Sequence, residues 1–360
     1  MPRMSPSAGG GYPARLGAIM PLGFTLPAGE RVTDDVTRPA NLPKTAPPLL
    51  DNGLTWPVRS QGATMLCTAY TVAACLELDR INRCPGLRKG EVPRYSAGFL
   101  YWGMSTCGDS TQEGWSTGGR TFDDAVKALA EAGMCDFADF GALAAEDPDF
   151  ANKLTPAQKA TCPDGWGGGP PRLEAQQAGR VWAKAWRDRF GSSRPDEEPC
   201  CETVPPDKWA TLDASVPVFR WAHEFIIAEL IAGRPVGLAF PNFIGPDVPH
   251  LWISAGSDPN GTLVFPKVST AKSYSGGHAV CITGLELDDQ VPGGGWFRFR
   301  NSLGAGWGDK GYGRVAIFDA CHYCWSIFAL PGERGPWGHE LHRKSSEEAV
   351  IYQRGQKNVP

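Results

Sequence analysis

The texture of the chain changes at residue 216. From there "PVGLAF", "TLVFP", "HAVCITGLEL", "GWFRFRNS", "GRVAIF" and "WSIFAL" follow one another, short runs rich in β-branched and aromatic residues with turns between them. Runs of this kind build an antiparallel sheet or a barrel. Upstream, the apolar residues keep a helical period instead. Cys67, Tyr70, Ala74, Leu78 and Ile81 recur at spacings of 3, 4, 4 and 3, one face of a helix over 64–83. Thr64 is its expected N-cap and "CPG" at 84–86 its end. A second helix is predicted over 122–132, with Thr121 and Asp124 as a capping box, Phe122, Val126 and Leu129 on one face, and Gly133 as its stop. A third, over 221–232, runs up to Gly233. The expectation is an α+β protein, helical first and β-rich second.

Five segments are expected: a Pro/Gly-rich N-terminal arm (1–50), a helical lobe (51–137), an insertion (138–215), a β-rich lobe (216–333) and a polar C-terminal tail (334–360). The insertion carries loop punctuation, "DGWGGGPPR" and "SSRPDEEPCCETVPPD". Between these, Trp182, Trp186 and Phe190 form a short helical stripe that reads as core packing. A cleft between two lobes is a common place for a site.

Charge excludes some partners. The net charge of −4 and the lack of a dense Lys/Arg run argue against a general affinity for nucleic acid. No apolar run approaches the ~20 residues that cross a bilayer. Pro and Gly interrupt every apolar run near the N-terminus, which reads as a non-secreted, cytoplasmic start, with export by a route lacking a cleaved signal left open. The 11 cysteines are an odd number, so at least one thiol is unpaired within the chain. The plain reading is reduced, mostly buried cysteine. "CHYC" at 321–324 lacks a second pair at zinc-site spacing, and Cys200-Cys201 does not supply one. The paired carboxylates Glu197-Glu198 sit in loop sequence, and no Gly-rich phosphate loop is present.

"VRSQGATMLCTAY" at 58–70 sets Gln61 six positions before Cys67, where the first helix begins. A free thiol titrates at about 8.5 and is mostly protonated at neutral pH. The first turn of a helix favours the thiolate. A nearby imidazole could hold it as an ion pair and later protonate a leaving group, and a third group would fix the imidazole's tautomer. Of six histidines, His278 stands out, because two glycines precede it and it opens the strand "HAVCITGLEL". His223 lies on an apolar-patterned helix, His250 in a loop, and His322, His339 and His342 near the C-terminus. Asn301 ends an alternating strand in which it shares a face with Phe297 and Phe299, while Arg298 and Arg300 point the other way. Its carbonyl oxygen could accept a hydrogen bond from an imidazole N–H. Glycines 304, 306, 308 and 311 then shape a tight turn.

The order Gln-x5-Cys, then His, then Asn-Ser-x-Gly-x-Gly-Trp-Gly-x-x-Gly-Tyr resembles the papain-like cysteine peptidases. The resemblance rests on "PVRSQGATMLCTAYTVAACLE", "GGHAVCITGLE" and "RFRNSLGAGWGDKGYGRV", and more weakly on "YSAGFLYW", about a third of the chain. It implies a two-lobe fold, a helical lobe facing an antiparallel β-barrel lobe across the active-site cleft. It also implies hydrolysis of peptide or protein substrates, without metal or organic cofactor. Cys67 would be the nucleophile, His278 the general acid/base, Asn301 its orienting group and Gln61 an oxyanion donor. Trp307 matches the aromatic residue that shields the asparagine–histidine pair. Gly118 and Gly119 resemble the glycines beside the substrate backbone. The sequence also departs from the family. Thr64 stands where relatives carry a disulfide cysteine, and Leu303 where they carry a tryptophan of the shield. The N-terminal arm is shorter than an inhibitory propeptide, and 138–215 has no counterpart. These departures keep open a catalytically inactive binding or scaffold protein on the same fold. An acyltransferase ranks lower, since that chemistry tends to use Asp in place of Asn.

Overall fold

A computed structural model of the chain describes residues 39, 41–51, 55–62, 64–84, 86–88, 91–107, 119–137, 140, 171, 173–190, 201–203, 217–244, 250–265, 273–324 and 326–330. Residues 1–38, Gly118, Glu197-Glu198, Cys200 and the C-terminal tail lie outside these residues, as do the side chains of Phe190, Cys201 and Cys321.

Four helices come first: α1 (Cys67–Arg83), α2 (Ala97–Cys107), α3 (Phe122–Glu131) and α4 (Leu173–Phe190). A short strand, β1 (Cys201–Thr203), and helix α5 (Pro217–Ile231) lead to β2 (Val236–Ile244), α6 (Leu251–Ser257) and β3 (Thr262–Leu263). The chain closes with β4 (Ser273–Leu287), β5 (Gly295–Arg300), β6 (Tyr312–Ala316), α7 (Ile317–Tyr323) and β7 (Ser326–Ala329). The strands form one sheet in the order β1-β7-β2-β4-β5-β6-β3. All its neighbours are antiparallel except β3 and β6, which run parallel.

The expected barrel is not closed. Closure needs hydrogen bonds between the two outermost strands, and here β1 and β3 stand at opposite ends of an open sheet. The outer strand β1 comes from within 138–215, the segment read as an insertion.

Helix α1 departs from the one-face pattern. Its core-facing residues are buried, but so are Thr68, Ala69, Thr71, Val72, Ala73 and Glu77 on its other sides. A helix enclosed on nearly every side is a central element. Small residues let its neighbours approach: Thr71 Cγ2 lies 3.0 Å from where a Cβ on Gly237 of β2 would sit. The expected capping box of α3 is formed, Thr121 accepting from the Asp124 N–H and Asp124 from the Thr121 N–H. Past this helix, Gly133 adopts φ +80°, a left-handed conformation that β-carbons disfavour.

Helix α4 docks on this helical layer through its aromatic stripe. Trp182 stacks on Trp186 with ring centroids 5.2 Å apart, and Tyr95 meets Trp182 edge-on. The crossing is close because two glycines face each other. A Cβ on Gly133 would lie 1.9 Å from the Gly179 carbonyl oxygen, and one on Gly179 would lie 2.5 Å from both the Ala132 carbonyl oxygen and the Phe99 ring. Gly179→Ala should therefore push α4 off the layer. A loss of about 1–3 kcal/mol is expected from overpacking at such a contact, read as a lower urea midpoint at unchanged m-value.

Candidate active site

Helix α1 starts at Cys67, not at Thr64. Leu66 is the N-cap, and its side chain makes no capping hydrogen bond. Thr64 is occupied elsewhere: its hydroxyl donates to the Gln61 carbonyl oxygen at 2.6 Å and its N–H to the same oxygen at 3.1 Å. In return, Gln61 Nε2 donates to the Thr64 carbonyl oxygen at 2.7 Å. This tight turn carries the chain into the helix, whose N-terminal end favours negative charge.

Gln61 is held from the opposite side by Ser302. The Gln61 N–H donates to the Ser302 carbonyl oxygen at 2.8 Å, and the Ser302 hydroxyl donates to Gln61 Oε1 at 2.6 Å. These contacts fix the carboxamide's orientation, with its oxygen toward Ser302 and its nitrogen toward Thr64 and α1. One residue before Ser302, Asn301 Oδ1 accepts from the Ser302 N–H at 2.8 Å and pairs with His278 Nε2 at 2.7 Å. An amide oxygen only accepts, so His278 carries its proton on Nε2. Its Nδ1 has no hydrogen-bond partner among the described residues. A void of about 10 Å³ separates Tyr70, Thr71 and Ala74 of α1 from Arg300, Asn301 and Ser302. Helix α1 and the Asn301 segment thus line the same void.

His278 does not open its strand. It lies sixth in β4, opposite Phe240 of β2. Gly276, at φ +65°, and a register shift between Pro241 and Phe243 mark the irregular stretch just before it. Cys67 and His278 are both fully buried, and Gln61 and Asn301 nearly so. Burial pushes the His278 imidazole down to about 4, against the hydrogen bond it donates to Asn301, which favours the charged form, while His250 nearby lowers it further. The ring is therefore neutral at pH 7 in this closed arrangement.

The ring that covers His278 is Trp252, a residue the sequence patterns did not single out. It meets the imidazole edge-on at 4.3 Å between centroids. Trp307 stands one layer behind. Its Nε1 donates to the Trp252 carbonyl oxygen at 2.7 Å, and its ring lies against Trp252 and Phe299. Leu303 forms a β-bridge with Ser60. Helix α6, which presents Trp252, has only seven residues. It is too short to announce itself by periodicity, and the dipeptide Leu-Trp after His250 was its only sequence signal. His250 is the N-cap of that helix rather than a loop residue.

The loop before α3 is tied to the residue after Cys67. Thr68 Oγ1 donates to the Arg120 carbonyl oxygen at 2.8 Å, and Arg120 Nη1 donates to the carbonyl oxygen of the buried Gly119 at 2.9 Å. At "CHYC", Cys324 donates to the Ser326 carbonyl oxygen at 3.1 Å, and burial pushes its thiol up to about 12. A thiol so hard to ionise is a poor metal ligand. Among the described residues, no group of three or more His, Cys, Asp or Glu could hold a metal ion, and no helix is long and apolar enough to cross a membrane.

Several solved structures align with the chain over most of its length. Xylellain, a cysteine protease from Xylella fastidiosa, aligns with a TM-score of 0.52 at 19% identity, covering 89% of this chain and 97% of its own. Digestive procathepsin L2 from the larval midgut of Tenebrio molitor aligns with a TM-score of 0.49 at 18% identity over 91% of this chain and 81% of its own. Procathepsin B S9 from Trypanosoma congolense aligns with a TM-score of 0.47 at 15% identity over 89% and 88%. Neither a family model nor a curated sequence matches the chain. The chain has a papain-like fold.

His278 and His223, which is also buried on α5, resist protonation in the fold, each shifted from an ordinary 6.5 to about 4, chiefly by burial. The unfolded chain takes up these protons first as the pH falls. Their contribution is complete above pH 6.5 and is lost as the pH drops toward 4. The ceiling is about 3 kcal/mol per histidine at ~1.4 kcal/mol per pH unit. Denaturant titrations should show stability falling over this window, and His223→Gln should flatten part of that fall.

Proposed function

We propose that the chain is a cysteine peptidase that hydrolyses peptide bonds through a thioester acyl-enzyme. The Cys67 thiol gives its proton to Nδ1 of His278, the nitrogen left unprotonated by the bond to Asn301, and the sulfur attacks the substrate carbonyl carbon. Charge passing to the carbonyl oxygen is met by the Cys67 backbone N–H and by the Gln61 Nε2–H that Thr64 does not use. When the C–N bond breaks, the imidazolium returns its proton to the departing amine. His278 then takes a proton from water as the water oxygen attacks the thioester. The acid product leaves and the thiol is restored. These steps need neither metal nor organic cofactor. Gly118 and Gly119 would flank the substrate backbone, and Trp252 and Trp307 would keep water from the Asn301–His278 bond.

The observation that carries this reading is the shared Asn301 oxygen, which takes both the His278 N–H and the Ser302 N–H and so leaves the other ring nitrogen unprotonated. Both reacting groups are buried, so substrate entry requires local opening. Opening also relieves the desolvation that keeps the ring neutral and restores its ability to hold the proton.

Hydrolysis of fluorogenic peptides tests the reading. Cys67→Ala and His278→Ala should abolish turnover, and Gln61→Ala should lower kcat by about 100- to 1,000-fold, the usual cost of one oxyanion donor. Iodoacetamide at neutral pH should label Cys67 faster than the other ten cysteines, and His278→Ala should slow that labelling. Equal labelling of all cysteines with no turnover would favour a non-catalytic binding protein on this fold. Capture of the acyl group by an added amine in preference to water would favour a transferase.

A further inference from the structure

Two sulfurs outside the proposed reaction meet where α1 packs on the sheet. Cys75 Sγ and Cys281 Sγ are 3.4 Å apart, 206 positions apart in sequence, and neither side chain is exposed. Cys75 lies on the helix that begins with Cys67, and Cys281 lies three residues after His278 on β4. Cys281 pairs across the sheet with Gly237, whose missing side chain leaves Thr71 of α1 against the strand. Helix and strand are thus already in contact at this point. Bonded sulfurs sit about 2.05 Å apart, so closing the pair needs a shift of only about 1.4 Å, within the reach of χ1 adjustments.

We propose that Cys75 and Cys281 are a modification site, joined by a peroxide into a disulfide that clamps the nucleophile helix to the histidine strand. One thiol attacks the peroxide O–O bond, becomes a sulfenic acid and releases water. The second thiol attacks the sulfenic sulfur, forms the S–S bond and releases a second water, so two thiols are oxidised by two electrons and one H₂O₂ is reduced to two H₂O. Burial holds the Cys75 thiol well above its ordinary value, with Cys281 and Asp79 adding to the effect. Thiolate is scarce there, so the closure is slow compared with oxidation of half-exposed thiols such as Cys84 and Cys107. The peptidase reading is not required.

The test uses the full chain with Cys67→Ser, reduced and then treated with hydrogen peroxide. Denaturing alkylation and peptide mapping without reductant follow. A linked peptide pair containing Cys75 and Cys281 is expected, reversible by dithiothreitol. It should be accompanied by a rise in Tm of about 5 °C or more, since the bond closes a long loop of the unfolded chain. Cys75→Ala and Cys281→Ala should each remove both signals. Recovery of both residues as separately alkylated peptides after prolonged treatment would overturn the proposal, and so would their linkage to other cysteines. The map is made on a chain that retains both residues, so it decides the question even where an alanine variant fails to fold.

Discussion

The arrangement depends on how Arg300, the last residue of β5, fastens the approach to α1. Its guanidinium pairs with Asp51 at 3.1 Å, donates to the Tyr312 hydroxyl at 2.7 Å and reaches the carbonyl oxygens of Trp56 and Pro57. Tyr312 in turn bonds Asp51. One cation from the sheet therefore holds a segment some 240 residues upstream. Immediately beyond, the Gly304 N–H donates to the Arg59 carbonyl oxygen, and the main chains of Gln61 and Ser302 join. The strand that ends in Asn301 and the turn that starts α1 are thereby stitched side by side. Buried ions are costly to desolvate, and they hold a structure only when their remaining donors and acceptors are satisfied. Arg300 meets that condition through four partners.

A second buried ion pair supports the same seam. Arg59 bonds Glu77 of α1 at 2.9 Å, and the carboxylate also accepts the Tyr95 N–H. Burial nonetheless raises the Glu77 carboxyl above its ordinary value, against the pull of Arg59 and Arg300. Desolvation prevails at Glu77 as it does at His278. This interior positions ionisable groups firmly and makes their charged forms expensive. Tight placement and ready ionisation compete here, and solvent access decides between them.

Much of this was legible in the sequence, for identifiable reasons. The capping box at Thr121 and Asp124 is a local contact three residues long, and the α3 boundaries follow from it. Gln61 and Asn301 could be singled out because their neighbours are constrained by turns and glycines. Other features depend on distant segments. Thr64 has the chemistry of an N-cap, but its hydroxyl is used by Gln61, so the helix starts three residues later. The alternation in 216–333 is compatible with a closed or an open sheet, and one outer strand of the open sheet, β1, comes from a segment with no strand signal. Trp252 covers the imidazole through tertiary packing alone, and no spacing to His278 or Asn301 encodes it. The resemblance directed attention to positions 303 and 307, whereas the covering ring arrives from α6.

The reach of 138–215 into the sheet has an implication for the integrity of the molecule. Its strand β1 lies along β7 over Cys201–Thr203, and its helix interlocks with the helical layer at Gly133. The extra length thus lines a strand edge with β1 and a backbone groove with its helix. Excising it would uncover the amides of Ser326–Phe328 and make β7 a sticky margin for other chains. A segment that looks like ornament in the primary structure acts here as a hem.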